Sequence, residues 1–362
     1  MIGLYCPDLP PVQGGVSDHT LVLARALEAQ GHPPAVLGRR GDPALFAPLA
    51  CRTGVTPLSL AAAARELGVT SLLIQYVPFL FARRGVSPAI CRGVSLLARA
   101  GVRVAVFVHE PYVPFTRLPW LVTGWPMRWQ LRFILRRAAF AYAPVPRFVD
   151  IARRYARPAT AVRLAPVGAT LPVAGEGRAA ARRALVLADG TIAIGVFSPA
   201  AAGLLLDWVD RSRAALAGRA DVVWVCFGFG SERLPRERAS GGRLIRVTDH
   251  DPRVVARTMR ALDLAAQPYV DGLTMRRTSA MLALAHGIAL VSATGPLYDP
   301  RLAALAACES TADAFAARLA RLADDAGERA ALTARAAGYG ELASVEALAR
   351  IIAEDLDEGG AP

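Results

Sequence analysis

"DLAAQPYVDGLTMRRTSAMLALAHGIALVSATG", residues 263–295, decides the fold class. It opens on a short apolar run, "DLAAQPY" (263–269), and turns over at Asp271-Gly272. An apolar segment with helical spacing follows over 275–286, and the chain returns through "IALVSATG" (288–295). Strand, helix, strand, with both strands apolar throughout, is a βαβ unit of a parallel sheet covered on both faces. Arg276 and Arg277 stand where this unit turns over, near the positive end of the coming helix, where a guanidinium opposes the helix dipole. An anion is therefore expected beside them. A diphosphate would fill that role, because it matches both the guanidinium forks and the free amides of a helix start; a solvated charge pair is the alternative. Thr274 or Thr278 is expected to cap the helix.

The same alternation runs outward in both directions. Toward the N-terminus, strands are expected at "IGLYCP" (2–7), "PAVLG" (34–38), "SLLIQYV" (71–77), "RVAVFVH" (103–109), "AFAYAPV" (139–145) and "AVRLAPV" (161–167). A helix over 17–31 is expected between the first two, with Ser17 as N-cap and Gly31 as its stop. "GATLPVAGEGRAAARR" (168–183) reads as a linker, after which alternation restarts with "TIAIGVF" (191–197), "DVVWVCFGFG" (221–230) and "RLIRVT" (243–248). From Ala312 onward the pattern is helical. The expected fold class is α/β: two Rossmann-like, doubly wound domains with an interdomain cleft, over 1–170 and 171–340, and a C-terminal helix over 341–362 that can cross back to the first domain.

The 362 residues carry a formal net charge of +12, and 54% of them are hydrophobic, which excludes a disordered chain. There is no lysine, so every basic side chain is arginine, the better match to phosphate. Five cysteines lie far apart without a CxxC pair, which fits a reducing compartment better than a disulfide framework or a zinc site. No signal peptide and no apolar run of membrane-spanning length is read, so a cytoplasmic protein is expected, one that can still lie on a membrane. Without an RNA-binding motif, helix-turn-helix or zinc site, no nucleic-acid partner is expected despite the charge.

Three further segments lie at strand ends, where doubly wound sheets bind ligands. "PPVQGGVSDH" (10–19) places Gly14 and Gly15 where the backbone can approach a ligand and a helix start can hold an anion. "VFVHEPY" (106–112) puts His109 and Glu110 at the carboxyl end of a strand. "FGFGSER" (227–233) carries Gly228 and Gly230, which could admit a base or ribose or form a tight turn. No HExxH, GxSxG or His/Cys cluster with metal spacing occurs, so no metal ligands and no cofactor are expected.

Taken together, "PPVQGGVSDHTLVLARALEAQGH", "VHEPYVPF" and the 263–295 stretch resemble the retaining, nucleotide-sugar-dependent glycosyltransferases of GT-B fold, the WaaG- and PimA-like group of bacterial glycan biosynthesis. The resemblance implies that Gly14 and Gly15 approach the donor phosphates and that His109 faces the donor sugar. It implies that Asp271 replaces the first glutamate of the family's paired-glutamate motif, and that Gly272, Leu273 and Thr274 offer amides near the diphosphate. His109 and Asp271 would be the catalytic pair, with Asp18 and Glu110 toward the acceptor. Two departures stand out. The second glutamate is replaced by Ser279 or Leu282, depending on how the helix is matched, and the family's basic pair is missing from "GVFSPAAAG" (195–203). Arg276 and Arg277 could take over that charge. The implied reaction is retaining, metal-independent transfer from a nucleotide sugar to a glycan or lipid-linked hydroxyl. A non-catalytic sugar-nucleotide-binding partner of another transferase is the alternative.

"LPWLVTGWPMRWQLRFILRRAAF" (118–140) adds a surface feature. A helix is expected from Pro126. Trp125, Trp129 and Phe133 share one side with Arg128, Arg132 and Arg136, while Leu131, Leu135 and Ala138 lie on another. Aromatic rings beside arginines suit the surface of an anionic membrane, such as the inner face of a plasma membrane, where a lipid-linked acceptor would arrive.

Overall fold

The computed structural model describes residues 1–12, 14–113, 118–233 and 243–357. The chain divides into two compact units, Met1–Val167 with Val345–Pro362, and Gly168–Ser344. In the first unit, β1 (Ile2–Tyr5), β2 (Ala35–Leu37), β3 (Cys51–Arg52), β4 (Ser71–Tyr76), β5 (Arg103–Val108), β6 (Phe140–Ala143) and β7 (Ala161–Leu164) form one sheet in the order β3-β2-β1-β4-β5-β6-β7. In the second, β8 (Ile192–Phe197), β9 (Val222–Phe227), β10 (Arg243–Val247), β11 (Leu264–Gln267), β12 (Ala289–Ala293) and β13 (Ala307–Glu309) run β10-β9-β8-β11-β12-β13. Every pairing between these strands is parallel. Both sheets are therefore doubly wound, with the order reversing between β1 and β4 and between β8 and β11. β3 and β13 escape the sequence pattern because two and three residues are too short to show a period.

Apolar side chains explain the layers. In the first unit Leu4, Cys6, Leu73, Ala105 and Phe107 face a helix at Gly15–Ala29, through its Leu23 and Leu27, and the terminal helix Val345–Asp357, through Leu348, Ile352 and Leu356. Polar ties hold the terminal helix as well. Tyr142 Oη donates to Asp355 at 2.9 Å, Arg163 pairs with the same carboxylate, and Gln30 Nε2 donates to the Glu346 carbonyl at 2.9 Å. In the second unit Ile194, Val196, Trp224 and Cys226 pack on Phe315, Leu319 and Leu322 of the helix Ala312–Asp324. The opposite face of that sheet carries Val225, Phe227 and Leu290 against Met281 and Leu284 of the helix Thr278–Ala285.

Three helix starts differ from the sequence reading. The first helix begins at Gly15 with Gly14 as N-cap, so Ser17 lies inside its first turn and is buried. The helix Thr278–Ala285 has Arg277 at its N-cap, with neither Thr274 nor Thr278 capping it. The aromatic–arginine helix spans Leu118–Leu135 and carries Pro126 in its interior. An interior proline lacks one ladder donor and crowds the preceding turn, so apolar packing of that helix must outweigh roughly 3 kcal/mol. Met127, Leu131, Ile134 and Leu135 supply it, each fully buried.

The terminal helix is expected to be integral to the first unit. Leu348→Ala, at a fully buried site, should lower the unfolding free energy by about 3 kcal/mol in a denaturant titration. A loss below about 1 kcal/mol would show that the helix only rests on the unit.

Candidate active site

Doubly wound sheets leave a crevice at the carboxyl edge where strand order reverses, because the loops there leave in opposite directions. In the second unit that point lies between β8 and β11. Ser198, at the end of β8, has φ of 50°, a left-handed conformation rare for a residue with a Cβ, and its amide donates to the Phe227 carbonyl at 2.8 Å. Gln267, at the end of β11, donates through Nε2 to the Phe197 carbonyl at 3.2 Å and closes the gap between the two strands. Gly228 and Gly230 both have positive φ, and a Cβ on them would meet Phe197 at 2.4 Å and Ala200 at 2.2 Å. Their close approach is thus to the chain's own 197–200 segment, and the tight-turn reading accounts for both.

The arginine pair of the 263–295 stretch has its anion within the fold. Asp271 is 9% exposed and accepts from Arg276 Nη2 at 3.1 Å and from Arg277 Nε at 3.1 Å, with a second, shorter bond from Arg277 Nη2. Arg277 also donates to the Ala202 carbonyl at 2.8 Å and lies over an aromatic face, its guanidinium carbon 4.4 Å from the Tyr269 ring centre. Gly203 makes room, since a Cβ there would stand 3.2 Å from Arg277 Nη2. Arg277 therefore ties the loop after β8 to the loop after β11. Two guanidinium groups thus share one carboxylate. Arg276 is the more open of the pair, with 25% of its side chain exposed against 13% for Arg277.

Two of the three amides expected near a diphosphate are already engaged. The Gly272 amide donates to the Tyr269 carbonyl and the Leu273 amide to the Ala293 carbonyl, each at 2.9 Å. The cause is close packing: Gly272, at φ 84°, crosses Gly295 so tightly that a Cβ would meet the Gly295 nitrogen at 2.6 Å. Thr274 differs, because its buried hydroxyl has no partner among the described residues. Ser279, one candidate for the second-glutamate position, is bonded to Tyr269 Oη, which donates in turn to Gln267 Oε1 at 2.9 Å; Leu282, the other, is in the core.

In the first unit the order reverses between β1 and β4. Gly14 and Gly15 open the first helix in free space: a Cβ on Gly14 would meet only the Ser17 Cβ at 4.0 Å, and one on Gly15 nothing within 4 Å. Packing does not require either glycine, and the helix-start amides are approachable. Asp18 is half-buried in the same turn, where burial raises its pKa. Behind it lies a polar cluster that the sequence reading did not assemble. His109, 7% exposed, has Nε2 2.6 Å from Gln75 Oε1, and its ring is edge-on to His19 at 4.9 Å between centres. Gln75 and His19 are fully buried. Gln75 Nε2, Ser17 Oγ and both ring nitrogens of His19 have no hydrogen-bond partner among the described residues. Glu110, one residue past His109, is exposed, and its amide reaches the Tyr76 carbonyl at 3.5 Å. Gln75 and His109 stand 34 residues apart, on neighbouring strands, and only the register that pairs Gln75 with Phe107 brings them together.

On the Leu118–Leu135 helix, Val122, Trp125 and Trp129 are 76%, 69% and 61% exposed and recur on one face. Arg132 and Arg136 are exposed, whereas Arg128 stacks on Tyr112 at 4.0 Å and donates to the Gly124 carbonyl. Phe133 is half-buried beneath the Arg137 guanidinium, 3.6 Å from its ring centre. No helix among the described residues is long and apolar enough to cross a membrane. Nor do the described residues hold three or more His, Cys, Asp or Glu side chains grouped to take a metal.

No family model and no curated protein matches the sequence. Solved structures match its fold along nearly the whole chain. HepE of Anabaena in complex with UDP is 14% identical, with 99% of each chain covered and a TM-score of 0.68. Sucrose-phosphate synthase of Thermosynechococcus elongatus is 16% identical over 99% of each chain, at a TM-score of 0.66. WaaG, a glycosyltransferase involved in lipopolysaccharide biosynthesis, is 12% identical over 98% of this chain and 99% of its own, at a TM-score of 0.63. The fold is GT-B.

Burial at His19 has a measurable consequence. Burial pushes its pKa down to about 4 from 6.5, and the neighbouring Gln75 amide offsets a smaller part. A base whose folded pKa lies below its unfolded value stabilises the fold fully above pH 6.5, and that contribution is lost as pH falls toward 4. Stability should drop over this window as the unfolded chain takes up the proton first. His19→Gln should flatten that part of the pH–stability curve by about one proton; an unchanged slope would mean that His19 is charged or exposed in solution.

Proposed function

We propose that the chain is a glycosyltransferase moving a sugar from a nucleoside-diphosphate sugar to a hydroxyl of a glycan or lipid-linked glycan, with retention and without a metal. The observation that carries this reading is the Asp271–Arg276–Arg277 cluster. It gathers two guanidinium groups at the switch-point edge of a GT-B unit, in the same turn as Thr274, whose buried hydroxyl has no partner among the described residues. Leaving-group departure puts charge on the diphosphate, and fixed guanidinium groups stabilise that charge without reorganising. The bond from the sugar's anomeric carbon to the phosphate oxygen breaks as the acceptor oxygen bonds to that carbon on the same face, and the acceptor proton passes to the departing phosphate. Arg276 is the cation that meets the diphosphate, and Arg277 holds the loops. Asp271 works through the arginines rather than as a direct copy of a sugar-binding glutamate. His109 faces the donor sugar, the Gly14–Gly15 turn approaches the phosphates, and Asp18 and Glu110 lie toward the acceptor. Phe229, 69% exposed between Gly228 and Gly230, offers a ring face for the base.

Release of nucleotide from UDP-glucose, UDP-galactose, UDP-N-acetylglucosamine and GDP-mannose tests the reading. Turnover of any of these supports a transferase. Saturable binding without release supports the alternative, a sugar-nucleotide-binding partner of another transferase, which the engagement of Asp271 by the arginines and the absence of a second acidic residue favour. The two arginines should separate. Arg276→Ala should weaken UDP or GDP binding roughly 10-fold, about 1.4 kcal/mol, and spare stability. Arg277→Ala strips a buried carboxylate of its main partner and should cost about 3 kcal/mol of stability. Unchanged diphosphate affinity in Arg276→Ala would remove the phosphate role.

The acceptor reading is a lipid-linked glycan at the cytoplasmic face of an anionic membrane, supported by the exposed Val122–Trp125–Trp129 face beside Arg132 and Arg136. Flotation with phosphatidylglycerol vesicles at low salt should recover the protein, and phosphatidylcholine vesicles should not. Arg132→Glu with Arg136→Glu, or Trp125→Ser with Trp129→Ser, should abolish recovery. Binding that ignores lipid charge would leave a soluble acceptor as the better reading.

A further inference from the structure

We propose that Gln75 is the positioning residue of His109, fixing the orientation of its ring and holding the proton on Nε2. The proposal rests on the reading that His109 faces the donor sugar. The geometry is specific. Gln75 Oε1 stands 2.6 Å from His109 Nε2, and an amide oxygen can only accept, so Nε2 must carry the proton.

Burial says why a glutamine stands there. Gln75 occupies a fully buried position of β4, paired with Phe107 of β5, where an apolar side chain would pack without leaving an amide nitrogen unsatisfied. A polar side chain in such a place is costly unless it is bonded, and the short contact that Gln75 makes is the one to His109. Packing restrains the ring from two more sides. Phe107 lies 4.4 Å from it between centres, and His19, the titratable group packed on it from the first helix, lies edge-on at 4.9 Å. With His19 held neutral by burial, no charge from that side competes for the His109 proton. Glutamine rather than glutamate also leaves no carboxylate beside Nε2, where a charge at this distance would favour the imidazolium.

The test reads the contact and its consequence separately. Protein labelled with ¹⁵N-histidine, its His109 signals assigned by their loss in His109→Ala, is titrated by NMR without any sugar nucleotide. Gln75→Glu should raise the His109 pKa by about one unit or more. Gln75→Met, which keeps the volume and removes the acceptor, should expose the Nε2 proton to solvent exchange. If neither variant moves the His109 signals, the contact is absent and the proposal falls. Turnover is then followed as UDP or GDP release from the four sugar nucleotides named above. Gln75→Met should lower kcat roughly 10- to 100-fold with KM for the donor nearly unchanged. In a His109→Ala background the same change should have no further effect, because residues acting as one unit do not add. Additive losses would overturn the positioning role while leaving His109 in place. A His109→Ala enzyme of full activity would overturn both. If none of the four nucleotides is turned over, the transferase reading fails, and the NMR titration still decides whether Gln75 holds the ring.

Discussion

Parallel pairing is the constraint on which the rest of this structure depends. Parallel strands cannot be joined by a tight turn, so each chain reversal must cross the sheet, mostly through a helix. All the strands of one sheet then end at the same edge, and both faces are covered. The sequence answers with strands that are apolar on both sides, such as β4, β5, β8 and β9. The loops beyond the carboxyl ends are the places left for polar chemistry, and at each switch point two loops diverge and leave room. The polar groups discussed above, from Ser198 and Asp271 in one unit to Gln75 and His109 in the other, lie at those edges or directly under them.

A carboxylate almost withdrawn from water must find cations or lose its charge. Asp271 finds two, and this answers why adjacent arginines occupy a turn in an otherwise apolar βαβ unit. Arg277 has its donors committed to Asp271 and the Ala202 carbonyl and its flat face to Tyr269. It is a structural cation first, joining the ends of β8 and β11. The helix-dipole penalty inferred from sequence is real, and the compensating anion is six residues upstream in the same chain. Of the two, Arg276 is the more open to solvent.

Strand and helix identity was legible wherever an apolar run exceeded about four residues, because burial on both faces writes itself directly into composition. Boundaries were less so. Pro126 looked like a helix start because proline suits a first turn, yet the helix already runs from Leu118, and Met127, Leu131 and Leu135 anchor the part that follows the proline. Site residues at strand ends were readable as positions but not as states. Gly272 and Leu273 sit in the expected turn, and only coordinates reveal that the crossing with Gly295 consumes their amides. Gly228 and Gly230 signal a close approach, but the sequence does not say to what; the partner is the 197–200 segment. Gln75 and His19 were illegible as site residues, since an isolated glutamine in a strand and a histidine in a helix acquire meaning only through the β4–β5 register.

The two units share a topology and build opposite electrostatics on it. At the second unit's switch point the groups are ionic, two guanidinium groups about one carboxylate. Behind the first unit's carboxyl edge the cluster is built of amide, hydroxyl and imidazole groups. Its amide and imidazoles are buried, several polar atoms are unpartnered, and His19 is kept uncharged by desolvation. Neutral donors and acceptors discriminate hydroxyl patterns, because a missing or misplaced hydroxyl leaves a buried polar atom unsatisfied, whereas a guanidinium tolerates any phosphate within reach. Under the proposed transferase reading, anion recognition belongs to the edge of β8 and β11, and discrimination among sugars to the edge of β4 and β5. A change of sugar specificity would then be sought around Gln75 and His109, where the alternatives differ by single hydrogen bonds, before it is sought among the arginines.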